Sequence, residues 1–237
     1  MNRERNLSGV NSYQKDLGFA PLDFLVQKAK GQSTAAWLDL CCGRGRALIQ
    51  ATAAPQVRDG TVKLVGVDLV PLFDPIPPEA AGYIRLIAAS LERWQTAEQF
   101  DLITCVHGLH YVGDKLGLLQ RAARWLKRGG LFWGHLDFRN LRIKGRNSSG
   151  GAQIGKDLRR AGFQYSAGRH SLNYHAQDEL APVLPYKYWG ADDKAGPNYT
   201  GQSAVDSYYE RLAPAKPLSS PRSSLRSKPN RATETTL

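Results

Sequence analysis

Between Trp37 and Gly45 the chain reads Trp-Leu-Asp-Leu-Cys-Cys-Gly-Arg-Gly, an apolar run carrying one acid, Asp39, that opens into a turn of small residues. Glycine at positions 43 and 45 lets the backbone bend sharply and approach a ligand with no Cβ in the way. In open α/β sheets ligands bind beyond the carboxyl ends of strands, where the strand order reverses, and the first strand–turn–helix is such a place. Two ligand classes fit this turn. A dinucleotide requires G-x-G-x-x-G, so that a helix N-terminus meets the pyrophosphate. The third glycine position is here Leu48, which leaves that fingerprint incomplete. A cationic ligand without phosphate favours an acid nearby, and Asp39 supplies one.

A second acid stands in Val65-Gly66-Val67-Asp68-Leu69, some 23 residues beyond Gly45. At that spacing a carboxylate at the end of the second strand can chelate ribose hydroxyls. The turn with Asp39 and Asp68 selects S-adenosylmethionine, which is positive at its sulfonium and amino groups and carries a ribose. Methyl transfer from it is an in-line displacement that needs mainly proximity and alignment. A base helps when the acceptor loses a proton. His107 and His110, in Val106-His107-Gly108-Leu109-His110-Tyr111, are candidates for that role, His107 being closer to the strand end. The alternative for each is packing or a backbone bond near the turn. Tyr13, in the first helical segment, is a third candidate; its alternative is a surface aromatic. Asp137 is read as a loop cap and Cys105 as core, while small residues in a tight turn account for Cys41 and Cys42. The polar, turn-rich stretch 190–201 is expected at the edge opposite the cofactor, as a structural wrap or partner contact.

The elements that must position these residues alternate. Ser12 to Lys30 reads as one or two short helices. Strands are predicted at 35–40, 62–69, 83–89, 100–106 and 131–136, with helices at 46–54 and 114–127 and a helical turn or two at 91–98. The prolines between 71 and 82 keep any helix there short, and Gly129-Gly130 is expected to end the helix before it. This alternation implies right-handed βαβ crossovers and a parallel sheet. Beyond Arg139 come a basic loop (Arg139, Arg142, Lys144, Arg146), a helix near 153–161 and two alternating segments. Those segments, 163–174 and 184–188, suggest an antiparallel hairpin turning near 176–180.

Length and composition bound the rest. A chain of 237 residues with 42% hydrophobic content can bury a core. Three cysteines make no disulfide framework, no Cys/His spacing resembles a zinc site, and no metal is expected. No apolar run is long enough to span a bilayer and the polar start lacks a signal peptide, so a cytoplasmic, soluble protein is expected. The net charge of +11 makes nucleic acid a conceivable partner without demanding it. Part of it lies beyond residue 212, where Lys216, Arg222, Arg226, Lys228 and Arg231 face only Glu234 in a Pro- and Ser-rich stretch. The expected organisation is therefore 1–34 as a helical cap, 35–212 as the α/β domain and 213–237 as a disordered basic tail.

The stretch from Ala35 to Asp137 resembles the class I S-adenosylmethionine-dependent methyltransferases. Leu38-Asp39-Leu40-Cys41-Cys42-Gly43-Arg44-Gly45 is similar to their first motif, in a Cys-Cys-Gly version like that of quinone-biosynthesis methyltransferases. Asp68 matches the ribose-binding acid, Phe100-Asp101-Leu102-Ile103 the fourth-strand motif, and Arg124 to Gly130 the approach to the fifth strand. The first motif glycine is replaced by Cys41, which is tolerable at negative φ. The acid that often meets the adenine amino group is replaced by Ser90, or shifted to Glu92. The resemblance implies a Rossmann-like, doubly wound, seven-stranded sheet, mostly parallel with an antiparallel last strand. It also implies a cofactor site built from Asp39, Cys41, Gly43, Gly45, Asp68, Leu69, Ser90, Leu91 and Val106. The acceptor expected is an unidentified small molecule. The other readings are an RNA methyltransferase, a silent protein that keeps the fold, and a nicotinamide-dependent reductase. Against RNA, the fourth strand lacks the Asn/Asp-Pro-Pro-aromatic run used on base amino groups.

Overall fold

Six consecutive buried residues form Ala35–Leu40 (β1) and six more form Phe100–Cys105 (β4), the signature of strands covered on both faces. In the computed structural model, which describes residues 5–145, 150–177 and 181–213, these strands pair in parallel. With Val62–Asp68 (β2), Ile84–Ala88 (β3), Leu126–His135 (β5), Gln164–Ser166 (β7) and Ser171–His175 (β8) they make a seven-stranded sheet in the order β3-β2-β1-β4-β5-β8-β7. β8 is antiparallel to both its neighbours. The strand order reverses between β1 and β4, so their carboxyl ends open the crevice in which such sheets bind ligands.

Alternate strand residues feed two apolar layers. Trp37, Leu64, Leu102 and Trp133 pack towards Tyr13–Leu17 (α1), Pro21–Lys30 (α2) and Arg46–Ala51 (α3). Leu38, Val65, Ile103 and Phe132 pack towards Lys115–Trp125 (α5) and Gly151–Arg160 (α6). A one-turn helix, Pro55–Arg58 (α4), lies between α3 and β2. The doubly wound α/β sheet with an antiparallel last strand is thus as expected.

Several boundaries differ. Asp114 caps α5 by accepting from the Gly117 N–H, but the helix ends at Trp125 and β5 starts at once. Gly129-Gly130 therefore lies inside a strand. Gly129, at φ +73°, makes the irregularity where pairing steps from Phe100↔Leu126 to Leu102↔Leu131. Residues 91–98 make turns rather than a helix, and 71–82 hold only the 3₁₀ turn Pro78–Ala80.

The hairpin expected between 163–174 and 184–188 is instead β7 with β8, turning at 167–170. The expected turn near 176–180 falls partly outside the described residues, as do Arg146 and all but the first residue of the 213–237 tail. Tyr186–Asp192 (β9) joins Leu141–Ile143 (β6) and Asp206–Arg211 (β10) in a separate three-stranded sheet, order β6-β10-β9. Asp157 of α6 ties this sheet to the main body. Its buried carboxylate accepts from Tyr186 Oη at 2.7 Å and Arg211 Nε at 2.8 Å.

Candidate active site

At the carboxyl ends of β1, β2 and β4 lies a cavity of about 440 Å³. Tyr13, Cys41, Gly43, Asp68, Leu69, Ser90, Leu91, Val106 and His107, all singled out in the sequence, line it. Asp39, Gly45 and His110 do not. Glu92, the alternative to Ser90, lines it too, while Arg5, Tyr111 and Gln202 line it without having been expected.

The turn after β1 is left-handed at Cys41 (φ +57°), Gly43 (+60°) and Gly45 (+74°). The condition of a negative φ at Cys41 is therefore not met, and this residue occupies a conformation that costs an L-side chain on the order of 1 kcal/mol. Gly108 accommodates it: a Cβ there would lie 2.4 Å from Cys41 Cβ. Leu48, at the absent third glycine, packs on a small residue of the strand instead. A Cβ at Gly66 would meet Leu48 Cδ1 at 2.7 Å. Asp68 joins the two ligand-facing loops, accepting from the Gly43 N–H (2.8 Å) and the Val70 N–H (3.0 Å) while still lining the cavity.

Asp39 lies behind the turn with 1% exposure. Both oxygens are taken, one by Tyr13 Oη at 2.5 Å and the other by Thr104 Oγ1 at 2.6 Å. Burial pushes its carboxyl up to about 7, against those two hydrogen bonds. Direct contact between Asp39 and a ligand in the cavity, as the sequence suggested, is absent from this arrangement. Tyr13 is no surface aromatic: it is buried edge-on against Trp37, and burial with the Asp39 charge raises its hydroxyl well above the usual range. Its proton is committed to Asp39, which suits a wall better than an acid–base group. Helix α1 is held there by Ser12, which caps it, and by Gln50 of α3, which bonds Leu7 N and Asn6.

Beyond the end of β4, His107 has φ +53° and stacks on His135, the last residue of β5, with centroids 3.8 Å apart. The His107 N–H donates to His135 Nδ1 at 3.3 Å. Burial drives both imidazoles down, His107 to about 3 and His135 to about 2, so both are neutral at physiological pH. His135 escaped the sequence reading, although its place at a strand end would have marked it. His110 is fully buried and both ring nitrogens lack a hydrogen-bond partner among the described residues. This agrees with the packing alternative and leaves a polar cost unrepaid. Asp137 caps a loop, bonding Arg139 twice over and the Tyr199 N–H at 3.1 Å.

The stretch 190–201 corrects the expectation most. Its first residues belong to β9, and the rest crosses to the site rather than the opposite edge. Tyr199 stacks on His170 at 4.0 Å, and its Oη lies 3.4 Å from His107 Nδ1. Gln202 accepts from Tyr111 Oη at 2.9 Å. Polarity and turn residues announced a loop, but nothing local said where it lands, because that depends on the second sheet.

Asp16, His107 and His135 bring donor atoms within 4.8 Å of one another. The Asp16 carboxylate is already paired with Arg5, and His135 Nδ1 is an acceptor. Two parallel stacked imidazoles also aim their lone pairs side by side instead of converging, so these residues do not fit an ion as they stand. The basic loop is similarly engaged: Arg139 with Asp137, Arg142 with Asp206, and Lys144 over the Trp189 ring. No helix among the described residues is long and apolar enough to cross a membrane.

A family model described as a methyltransferase domain matches residues 12–184. No curated protein matches the sequence. Among solved structures, the plantazolicin methyltransferase BpumL, in complex with a desmethylPZN analog and SAH, is 15% identical over 47% of this chain and 43% of that one, TM-score 0.37. Coclaurine N-methyltransferase, bound to N-methylheliamine and SAH, is 18% identical over 54% and 37%, TM-score 0.39. CalS10, an amino pentose methyltransferase from Micromonospora echinaspora, is 21% identical over 53% of each chain, TM-score 0.37. The aligned parts thus span about half or less of those chains.

Proposed function

The chain belongs to the methyltransferase-domain family, and from that premise we propose that it is a class I, S-adenosylmethionine-dependent enzyme that methylates a small molecule at the cavity beside β1, β2 and β4. The observation that carries this reading is the joining of Asp68 to the Gly43 N–H at the cavity wall. It fits a nucleoside: a carboxylate with lone pairs left over for ribose hydroxyls stands beside a turn whose glycines let a ligand lie against the backbone. Bound there, the cofactor supplies a sulfonium-activated methyl group.

The residues then divide the work. Asp68 accepts from the ribose, while Leu69, Ser90 and Leu91 form the adenine side, with Glu92 near enough to replace the missing acid. Cys41, Gly43 and Val106 border the methionine end, and Tyr13 closes it. Asp39 acts through its neighbours, fixing Tyr13 and Thr104. His107 faces the acceptor as a neutral imidazole. With its proton affinity this low it serves as a hydrogen-bond partner rather than a strong base, which suits an acceptor already nucleophilic at neutral pH.

Incubating a metabolite extract with methyl-labelled S-adenosylmethionine tests the reading. A labelled small product made by the wild type and lost in Asp68→Ala supports it. Label in RNA alone would replace it with the nucleic-acid alternative.

A further inference from the structure

Lys115 opens helix α5, an exposed place on most helices, yet here it is 0% exposed. Its ammonium donates to Val112 O at 2.9 Å, Val205 O at 2.6 Å and Ser207 Oγ at 2.8 Å, so every proton is used. One acceptor is on the turn after β4, one on the stretch that leads into β10 and one at the start of β10 itself. The Lys115 amino group therefore bridges the two segments that meet at the acceptor side. Replacing it by an apolar group leaves three buried acceptors unpaired, which is costly.

The stretch it holds is a compact loop of its own. Asn198 Oδ1 accepts from Thr200 N, Thr200 Oγ1 and Gln202 N, and Ala204 N donates to Gly196 O. Contacts to the body come from Val205 N on His110 O, from Tyr199 N on Asp137 and from Gln202 on Tyr111. The tip carries Tyr199, whose hydroxyl reaches His107.

We infer that Lys115 is a positioning residue that locks loop 196–205 onto the turn after β4 and, through Tyr199, sets the orientation of His107 at the acceptor side of the cavity. The inference rests on the methyltransferase reading only for what His107 faces; the lock itself does not depend on it. It identifies the role of a buried lysine that touches neither the cavity nor any proposed ligand.

The test combines amide hydrogen exchange over 196–205, imidazole nitrogen spectra of His107 and calorimetric titration with S-adenosylhomocysteine. Lys115→Met, close to lysine in shape but lacking donors, is expected to exchange at least about tenfold faster across the loop. Its His107 nitrogens are expected to shift from one tautomer to an average of two, with cofactor-product affinity within about twofold of wild type, since Lys115 does not itself line the cavity. Ser207→Ala, which removes one bond of three, gives the same changes more weakly and decides the matter should the methionine variant fail to fold. Tyr199→Phe reproduces the His107 change without the faster exchange. Unchanged exchange in Lys115→Met or, failing that variant, in Ser207→Ala would overturn the lock. Faster exchange with unaltered His107 spectra would overturn its reach to the site. Failure of the wild type to bind S-adenosylhomocysteine would count against the methyltransferase reading and leave the exchange result standing.

Discussion

Single side chains decide how tightly this site is built. Gly108 has an ordinary φ, so a methyl group there adds no backbone strain, only a collision with Cys41 Cβ at 2.4 Å. Gly108→Ala is expected to force the turn after β1 away from the turn after β4, lowering S-adenosylhomocysteine affinity by about tenfold or more, read by calorimetry. An affinity equal to wild type would mean the two turns move independently. His110 makes the opposite case, because its buried ring nitrogens have no hydrogen-bond partner among the described residues. His110→Phe, similar in shape and without orphaned atoms, is expected to keep or raise the melting temperature and leave turnover unchanged. A folded but inactive His110→Phe would restore the residue to the chemistry. At this scale the sequence was informative where chemistry is local: Gly43 and Asp68 are at the cavity because spacing along one strand–turn–helix put them there. What spacing did not show is the bond from Tyr13 to Asp39, because a contact between residues 26 apart leaves no local signal.

Elements that alternate in sequence also alternate in space, which is why β1 to β5 could be read from apolar runs and glycine turns. The failures come where pairing is non-local. β9 has the alternation of a hairpin partner for β8, yet pairs with β10, because Asp157 captures Tyr186 and Arg211 together on α6. Asp157→Asn is expected to weaken that junction by about 2 kcal/mol, less than a fully buried pair costs, since Arg211 is about a third exposed. Urea unfolding measures it, and a loss below about 0.5 kcal/mol, the range of ordinary surface changes, would show that apolar packing alone seats the second sheet.

For the molecule as a whole, the histidine cluster sets the response to acid. His107, His110 and His135 have proton affinities lowered by burial to about 3, 4 and 2. Between pH 6.5 and about 4 the unfolded chain protonates these imidazoles while the folded one does not, so unfolding takes up protons. Asp39, held up at about 7, is protonated in the fold and releases its proton on unfolding, which offsets one of the three. The stability tied to these groups is therefore complete above about pH 6.5 and falls as pH drops towards 4, by roughly 3 kcal/mol per pH unit for a net uptake of about two protons. Denaturant midpoints at pH 7 and pH 5 test this; a midpoint that holds or rises at pH 5 would contradict it. The central claim is that the cavity beside β1 and β2 takes a cationic nucleoside cofactor through Asp68. Calorimetric titration of wild type and Asp68→Ala with S-adenosylmethionine tests it most directly. The account predicts saturable one-to-one binding by the wild type, weakened at least about a hundredfold by the substitution through loss of charged hydrogen bonds to the ribose. No binding by the wild type, or equal binding by Asp68→Ala, would contradict it.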